Sequence, residues 1–363
     1  MNGKLVAMIN DRITELREYP VPHAEKGGVV MRTIRANICG SDVKIWEGKH
    51  FQRNHVLGHE MVGRILELGE GVTTDYAGNP VETGDRIVPC YFITCMHCRS
   101  CVNGLYNYCE NANIYGAQKA ELYPHFTGGF ATHYYIAPNQ HFYKVPDCIS
   151  DETAAGINCG ITQMVYSLER AGLRAGMNVV LQGAGGLGLY GCAISKEAGA
   201  NPIIIDSVSQ RLEMAKRFGA NHVIDMKEFD TIDKRKAEID RITNGEGADL
   251  VVELAGIPAA FDESIRLVAP GGTVAEVGNI LSRDVDCTSI VPGLIMRKSI
   301  TIIGCGRYDP RFIYKTIKFL EKFSKKYPFD ELTDRCYPLS EIQTAFAKAA
   351  SKEVTRAVID TSM

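Results

Sequence analysis

Apolar and polar positions alternate differently in the two halves of the chain. In the first ~155 residues, short β-type runs are separated by turns rich in Gly, Asn and Pro, which indicates an antiparallel, partly barrel-like sheet. Beyond about residue 178, β-branched runs alternate with helical stretches, which indicates a parallel sheet with helices on both faces. The predicted strands are 29–38, 61–68, 86–91 and 131–136 in the first half, and 178–182, 202–206, 222–224, 249–254, 273–277 and 300–303 in the second.

Helical periodicity predicts further elements, including two near the C-terminus. Helices are predicted over 210–218 and over 312–323, each with one apolar face. The last helix is predicted to begin at Ser340, which forms a capping-box pattern with Gln343. We expect the segment beyond the sixth strand of the second half to return to the first domain. The predicted domains are a discontinuous one, 1–157 with 301–363, and a continuous one, 158–300.

Length and charge narrow the class of protein. A chain of 363 residues, 45% of them hydrophobic, is long enough for two globular domains. Its net charge of −3 provides no basic field, so nucleic acid and anionic membranes are poor partners. Residues 175–195 carry no charge but include six glycines, so we expect a strand, a turn and a helix there rather than a membrane span.

The cysteines and the first residues bear on the cellular compartment. Residues 1–22 contain six charged side chains and no apolar run, so they do not resemble a signal peptide, and we expect a cytoplasmic protein. Twelve cysteines in such a protein indicate metal binding or catalysis rather than disulfides.

Four cysteines form a compact motif. They are separated by two, two and seven residues within a 15-residue stretch of low apolar content: Cys95, Cys98, Cys101 and Cys109. Four thiolates at such spacing can close around Zn²⁺ and leave no position for water, so the predicted site is structural. Redox cysteines or an iron–sulfur cluster are the alternatives, and His97 could compete as a ligand.

A glycine-rich loop predicts a dinucleotide site. It follows the β-branched run 178–182 and precedes a helix-compatible stretch, and its predicted contact residues are Gly183, Gly185, Gly186, Leu187 and Gly188. The glycines allow the pyrophosphate to approach the positive end of that helix. Asp206, eighteen positions beyond the last of these glycines, can accept hydrogen bonds from a ribose and repel a 2′-phosphate, which favours NAD over NADP. Ser207 and Arg211 could instead hold that phosphate.

Three scattered residues could complete a second metal site. A catalytic zinc needs three protein ligands and an open position. Cys39, His59 and Cys159 lie in short Gly-containing segments, and each alone is weak evidence. Their order, together with the cysteine motif and the glycine loop, makes chance a poor explanation.

From about residue 25 to its end, the chain resembles the zinc-containing medium-chain dehydrogenase/reductases, the alcohol, sorbitol and threonine dehydrogenase group. Besides the cysteine motif and the glycine loop, the resemblance lies in segments 38–42 (ICGSD), 58–60 (GHE), 84–86 (GDR) and 128–131 (GGFA). It implies a doubly wound Rossmann domain, 158–300, and a mostly antiparallel, GroES-like catalytic domain, 1–157 with 301–363. It also implies one catalytic zinc and one structural zinc per chain, NAD as cofactor, and a homodimer or homotetramer.

The resemblance assigns roles to the residues of the second site. It makes Cys39, His59 and Cys159 zinc ligands and Glu60 a ligand or near-ligand. Asp42 would orient His59 by accepting its ring proton. Ser41 would accept the proton of the substrate hydroxyl and pass it outward.

Two positions differ from many relatives. Some relatives have Glu as the third ligand where this chain has Cys159, which favours the alcohol dehydrogenase type of site. Lys44 stands where many relatives have a relay histidine, so His50 or bulk water could complete the proton path.

The expected reaction is hydride transfer between a secondary alcohol or polyol and NAD, with zinc acting as a Lewis acid. Aromatic residues that could line the substrate pocket, or pack in the core instead, are Trp46, His50, Tyr91, Tyr115 and Phe126. Two alternatives remain: a family member with net lyase or epimerase chemistry that uses NAD transiently, and a zinc-stabilised binding protein without turnover.

Overall fold

The structure is a computed structural model, and it describes residues 1–49, 55–114, 118–279, 287–333, 335–351, 353–354 and 356–361. Contacts divide the chain into two compact units. The first unit contains Met1–Thr162 and Asp309–Met363, and the second contains Gln163–Tyr308. The unit boundaries fall at 162/163 and 308/309, whereas the predicted domain boundaries were 157/158 and 300/301.

The first unit is built mainly of short strands. In chain order these are β1 (Asn2–Asn10), β2 (Ile13–Pro20), β3 (Val29–Asn37), β4 (His55–Val56), β5 (Glu60–Leu68), β6 (Arg86–Pro89), β7 (Phe92–Ile93), β8 (Asn113–Ile114), β9 (His133–Ile136) and β10 (Phe142–Lys144). Its helices up to the unit boundary are α1 (Gly40–Trp46), α2 (Arg99–Val102) and α3 (Asp151–Ala154), with a 3₁₀ turn at Tyr106–Tyr108 and a π-helical turn at Ile157–Ile161.

The second unit alternates strands and helices. Its elements are α4 (Thr162–Arg170, beginning at the boundary), β11 (Asn178–Gln182), α5 (Gly186–Glu197), β12 (Asn201–Asp206), α6 (Ser209–Arg217), β13 (His222–Asp225), α7 (Ile232–Ile242), β14 (Ala248–Glu253), α8 (Pro258–Leu267), β15 (Val268–Glu276), α9 (Pro292–Lys298) and β16 (Thr301–Gly304). All six strands are parallel, in the order β13-β12-β11-β14-β15-β16. Every residue of β11 is buried, as expected of a strand covered on both faces. The predicted doubly wound sheet is confirmed.

The C-terminal elements belong to the first unit. They are α10 (Phe312–Phe323), β17 (Arg335–Pro338), α11 (Ile342–Ala350) and β18 (Ala357–Asp360), with 3₁₀ turns at Phe329–Leu332 and Leu339–Glu341. Strand β18 pairs antiparallel with β3 in a seven-stranded sheet, so the predicted discontinuous, mostly antiparallel architecture is also confirmed.

The predicted capping box of the last helix is wrong. A 3₁₀ turn precedes α11, and Glu341 is the residue before this helix. The side chain of Gln343 instead accepts hydrogen bonds from the backbone N–H (3.2 Å) and the hydroxyl (2.8 Å) of Thr14, which lies in β2. The Gln343 side chain, which the local pattern assigned to the helix cap, is thus engaged in a tertiary contact instead.

The charge-free stretch 175–195 forms β11, a glycine turn and most of α5, as predicted. Among the described residues, no helix is long and apolar enough to cross a membrane.

Candidate metal centres and dinucleotide site

The four cysteines of the compact motif come together around one point. We call the segment that carries them, residues 95–109, the lobe. Cys95 follows β7, Cys98 precedes α2, Cys101 lies in α2, and Cys109 ends the 3₁₀ turn at Tyr106–Tyr108. Their sulfur atoms all lie within 4.8 Å of one another, and Cys98 Sγ is 3.9 Å from Cys109 Sγ. A tetrahedral zinc with bonds of about 2.3 Å requires sulfur–sulfur distances of about 3.8 Å. The donor set therefore fits a closed zinc site, and His97 is exposed and lies outside it.

Donated hydrogen bonds surround the sulfurs of this lobe. The backbone N–H of Cys95 donates to Cys109 Sγ, and that of Cys98 donates to Cys95 Sγ, both at 3.3 Å. The Asn111 amide donates to Cys95 Sγ at 3.4 Å. Asn111 and then the His97 backbone lower the pKa of Cys95 to about 5. The surroundings of Cys95 and Cys98 thus favour the thiolate form that a metal requires, whereas burial and the neighbouring cysteines raise the pKa of Cys101 to about 12.

The second group unites residues from three distant parts of the first unit. Cys39 directly precedes α1, His59 directly precedes β5, Glu60 is the first residue of β5, and Cys159 lies in the π-helical turn. One ligand atom of each lies within 4.8 Å of those of the other three. His59 Nε2 is 3.1 Å from Cys159 Sγ.

Asp42 fixes the orientation of His59. Its buried carboxylate lies 3.4 Å from His59 Nδ1, on the side of the ring away from Cys159, and it accepts the backbone N–H of Cys39 at 3.0 Å. Although burial opposes the effect, Asp42 raises the pKa of His59. Because Nδ1 faces the carboxylate, it carries the proton of the neutral ring, and the lone pair of Nε2 is directed into the group.

A buried ion pair holds Glu60. Arg356 donates to Glu60 Oε2 at 2.6 Å, and Asn37 donates to the same oxygen at 3.3 Å. The other oxygen, Oε1, is buried and has no hydrogen-bond partner in the described part of the chain. Burial raises the pKa of Glu60 to about 7, against the opposing effect of Arg356. An orphaned acceptor beside two sulfurs and an imidazole nitrogen is the donor chemistry that suits Zn²⁺.

The pKa values of the two cysteines of this group are shifted in opposite directions. Hydrogen bonding from Cys159 is the main cause that lowers the pKa of Cys39, burial opposes it, and His59 and Ser41 lower it further. The same bond raises the pKa of Cys159. Asn158 anchors the turn that carries Cys159, because its side chain accepts the Met61 N–H (3.2 Å) and donates to the Pro89 carbonyl (2.9 Å).

Two of the residues predicted for the proton relay lie in α1, whereas the described residues predicted for the substrate pocket are divided between the surroundings of His59 and the core. Ser41 and Lys44 lie in α1, both half-buried, and the Ser41 hydroxyl bonds to Cys39. The Tyr91 ring stands edge-on to the His59 ring, with 5.0 Å between centroids. Two other candidates belong to the core, because Trp46 stacks on Phe346 and Phe126 is fully buried. His50 and Tyr115 lie outside the described residues.

The glycine loop connects β11 to α5 as predicted. Helix α5 starts at Gly186, with Gly185 as the residue before it, so its unpaired N–H groups face the loop. A Cβ atom at Gly188 would lie 1.9 Å from the Gly183 carbonyl oxygen, so only glycine fits this contact. A Cβ atom at Gly185 would meet nothing within 4 Å, which leaves room for a phosphate group.

Asp206 ends β12 beside this loop. One carboxylate oxygen accepts the Ala184 N–H at 2.7 Å, and the other accepts the Val208 N–H at 2.8 Å. Each oxygen retains a lone pair that could accept a ribose hydroxyl. Leu187 lies in the first turn of α5, and Arg211 is half-buried in the first turn of α6.

Three charged residues near these sites were not predicted from the sequence. Arg356 is separated from Glu60 by 296 positions, and no local pattern indicates the pairing. Glu253 and Glu276 form a carboxyl pair at the ends of β14 and β15. The signal that could have revealed this pair is an acidic residue near the carboxyl end of each of two buried β-branched runs.

Comparison with known proteins agrees with this arrangement. The family model for the alcohol dehydrogenase GroES-like domain matches residues 25–147, and that for zinc-binding dehydrogenases matches residues 186–322. The chain is 30% identical to 5-exo-hydroxycamphor dehydrogenase of Pseudomonas putida, over 99% of both chains. It is 32% identical to L-threonine 3-dehydrogenase of Pyrococcus horikoshii, over 85% of both. It superposes on an alcohol dehydrogenase of Thermotoga maritima with a TM-score of 0.93 and 26% identity, over 99% of both chains.

The fold, the two ligand groups and these matches define a zinc-binding dehydrogenase. The chain belongs to the zinc-containing medium-chain dehydrogenase/reductase family. It is an NAD(P)-dependent zinc alcohol dehydrogenase, which transfers a hydride between an alcohol or polyol and the nicotinamide dinucleotide.

Proposed function

We propose that Cys39, His59 and Cys159 hold the catalytic zinc, and that the four lobe cysteines hold the structural zinc. The observation that carries this assignment is the orientation of His59, with Nε2 directed at Cys159 and Nδ1 at the Asp42 carboxylate. The lobe offers four sulfurs and no further donor in its group, whereas the second group includes a carboxylate already engaged by an arginine. A site of that second kind can accept a substrate oxygen beside its three protein ligands.

The residues of the catalytic group divide the work of proton transfer and positioning. When bound, zinc supplies Lewis-acid activation of the substrate hydroxyl, and the nicotinamide accepts the hydride. Ser41 accepts the hydroxyl proton, because its own hydroxyl can donate and accept at once. Asp42 acts through His59 by fixing its ring. Glu60, held by Arg356, supplies a fourth donor, the single oxygen of the set, at the edge of the group.

The proton leaves Ser41 toward the surface. Lys44 lies one turn further along α1 and is half-buried, so it is placed near the outer end of the path. We assign the final step to bulk water or His50, with Lys44 as the alternative that a variant can test.

We propose a secondary alcohol or polyol as substrate and NAD as the preferred cofactor. A relative that acts on 5-exo-hydroxycamphor, a bulky secondary alcohol, supports the first choice. Among the candidates in the described part of the chain, Tyr91, edge-on to His59, is the one placed beside the catalytic group to contact that substrate. Asp206 supports the second choice, because a carboxylate beside the loop repels a 2′-phosphate.

We further propose that the protein is a cytoplasmic homodimer or homotetramer. None of the twelve cysteines forms a disulfide, which suits a reducing compartment. Strand β16 is an edge of the parallel sheet and exposes Ile302, so a second copy could pair with it. Size-exclusion chromatography with light scattering measures the oligomeric state, and fractionation of cells locates the protein.

The test of the proposed function is a screen of secondary alcohols and polyols with NAD and with NADP, followed by absorbance of the reduced cofactor. We expect net NADH formation that is lost in the Cys39→Ser variant. Turnover without net NADH would indicate lyase or epimerase chemistry instead. A zinc-loaded protein that turns over none of these compounds would indicate a binding protein.

A further inference from the structure

Two carboxyl groups lie side by side in the second unit. Glu253 is the last residue of β14, Glu276 is the last residue of β15, and the two are direct partners in the parallel register. Glu253 is fully buried, and Glu276 is half-buried with its Oε2 atom inaccessible. That oxygen has no hydrogen-bond partner among the described residues. The catalytic roles proposed above use neither residue.

Loops at the carboxyl edge of the sheet hold this pair. The Asn279 side-chain amide donates to Glu253 Oε2 and to Glu276 Oε1, at 3.1 Å each. The Asn279 backbone N–H also donates to Glu276 Oε1 at 3.0 Å, and the Gly256 N–H donates to Glu253 Oε1 at 2.9 Å. Gly256 follows β14 and Asn279 follows β15, so both carboxyl groups lie among the loops where this class of sheet binds ligands.

No cation compensates the pair within the described chain. Lysine and arginine residues on the two helices that pack against these strands have other partners: Arg266 with Asp262, Lys298 with three backbone carbonyls, and Arg297 with the Gly293 carbonyl. The acidic side chain of Glu263 is likewise paired, with Arg235. From the side of β16, the Cys305 thiol lies near Glu276, with Arg170 near that thiol, and burial raises the pKa of Cys305.

Two adjacent carboxyl groups, one fully buried and one half-buried, cannot both ionise readily without a paired cation. Burial, and then the Glu276 charge, raise the pKa of Glu253 to about 8. Glu253 therefore adds a negative charge to the pair as the pH rises through about 8.

Strand order places the pair relative to a bound dinucleotide. The order in which the chain adds parallel strands reverses between β11 and β14, and each half of such a sheet binds one mononucleotide. Asp206, the predicted ribose acceptor, ends β12 and therefore marks the adenosine half. Glu253 is the register partner of Gln182, the residue before the glycine loop, and Glu276 lies one strand further from β12. The pair thus belongs to the nicotinamide half.

We propose that the Glu253–Glu276 pair determines the preference of the second unit for the oxidised over the reduced dinucleotide. The nicotinamide ring carries a positive charge in NAD⁺ and none in NADH, so a negative pair on this half stabilises NAD⁺ selectively. The proposal depends on dinucleotide binding by this unit, which the proposed function includes. It does not depend on the choice between NAD and NADP, because both cofactors have the same ring.

The test measures dissociation constants of the holoenzyme for NADH, by fluorescence, and for NAD⁺, by competition, from pH 6.5 to 9.5. In the wild type we expect the preference for NAD⁺ to rise about fivefold as the pH passes about 8, because the added charge attracts the charged ring only weakly in a partly solvated site. In Glu276→Gln the remaining carboxyl loses its like-charged neighbour, so the rise moves toward acidic pH. The new amide can still hydrogen-bond Glu253 and Asn279, which protects the fold.

Two further variants separate charge from structure. Glu253→Gln/Glu276→Gln removes both carboxyl groups, so we expect the preference for NAD⁺ at pH 7 to fall about fivefold below that of Glu276→Gln. Glu246→Gln makes the same chemical change at an exposed position just before β14, at the opposite edge of the sheet, and should match the wild type. Titration at the catalytic metal is common to all four proteins and cancels from their comparison.

A double variant that melts at the wild-type temperature and keeps the wild-type preference at every pH would overturn the proposal. The same holds if Glu276→Gln leaves the midpoint of the pH curve in place. Failure of all four proteins to bind NADH and NADPH would contradict the proposed function itself, which is a different outcome.

Discussion

The two cysteine-containing groups of the first unit are built in opposite ways. All ligands of the lobe lie within 15 consecutive residues, and the groups that donate to its sulfurs lie within residues 95–111. The catalytic group brings together Cys39, His59 and Cys159, which span 121 positions. Its supporting groups are side chains from other elements, among them Asp42 in α1 and Arg356 just before β18.

The difference indicates what each group requires from the rest of the protein. A loop can form the lobe around its metal, because its ligands and hydrogen bonds are local. The catalytic group forms only after β3, β5, β18 and the π-helical turn have met, because each supplies or borders one component. Metal at the lobe should therefore stabilise the fold, whereas metal at the second group should serve turnover.

Replacing one metal ligand in each group should give the largest difference between the two groups. Cys39→Ser should abolish turnover and leave the unfolding temperature nearly unchanged. Cys98→Ser should lower the unfolding temperature by about 10 °C, because loss of a structural metal removes several kcal/mol and each is worth about 2–4 °C in a domain of this size. The exposed Cys148→Ser variant is the control and should change neither. Equal effects of the first two variants on both readouts would show that the roles are wrongly assigned.

Ser41→Ala should give the next largest effect. Loss of the proton acceptor should slow hydride transfer by about 10²–10⁴-fold, the usual range for general acid–base catalysis. Zinc content should stay at the wild-type value, because Ser41 is not a ligand. Single-turnover measurements with a deuterated alcohol isolate the chemical step. Wild-type rates in that step would remove Ser41 from the mechanism.

Asp42→Asn tests the support of the catalytic group. Asparagine cannot supply the negative charge that orients the His59 ring, so zinc affinity at this group should fall by about 10–100-fold. The lobe zinc is the internal control and should be retained. Competition with a chromophoric chelator measures both affinities. If both zincs are lost in parallel, Asp42 supports the fold rather than the catalytic group.

The contacts of these sites also show which features of the structure local sequence patterns could predict. The lobe, the glycine loop and the strands next to them follow from short motifs, because the interactions that form them are local. Arg356 pairs with Glu60 across 296 positions, and Glu253 meets Glu276 through strand register. Those contacts depend on tertiary structure and leave no local pattern.

Competition between local and tertiary partners explains the wrong prediction at the last helix. Gln343 had a suitable spacing for a cap, but Thr14 offered it a hydroxyl and an N–H from β2. Similarly, aromatic character could not distinguish Tyr91, which faces His59, from Trp46, which stacks in the core on Phe346. Only the path of the chain separates a pocket residue from a packing residue.

Asp206→Asn extends the comparison to the second unit and should have a moderate effect. Loss of the carboxylate removes a charged acceptor and the repulsion of a 2′-phosphate, so the preference for NAD over NADP should fall about tenfold. Asp225→Asn is a matched control, because Asp225 is the register partner of Asp206 on β13. Dissociation constants for both cofactors provide the measurement. If the wild type already prefers NADP, Ser207 and Arg211, rather than Asp206, would determine the cofactor preference.

Lys44→Ala should have the smallest effect. We expect an unchanged pH–rate profile, because water or His50 completes the proton path. A shifted profile, restored by added small amines, would instead show that Lys44 replaces the relay histidine of many relatives.

A chelation time course that records zinc content, turnover and unfolding temperature in the same samples tests most directly whether the two groups have separate catalytic and structural roles. We expect two zincs per chain. Loss of the first should remove turnover at a nearly constant unfolding temperature, and loss of the second should lower that temperature. A single zinc per chain, or turnover and unfolding temperature that fall together from the start, would contradict the assignment of separate catalytic and structural roles to the two groups.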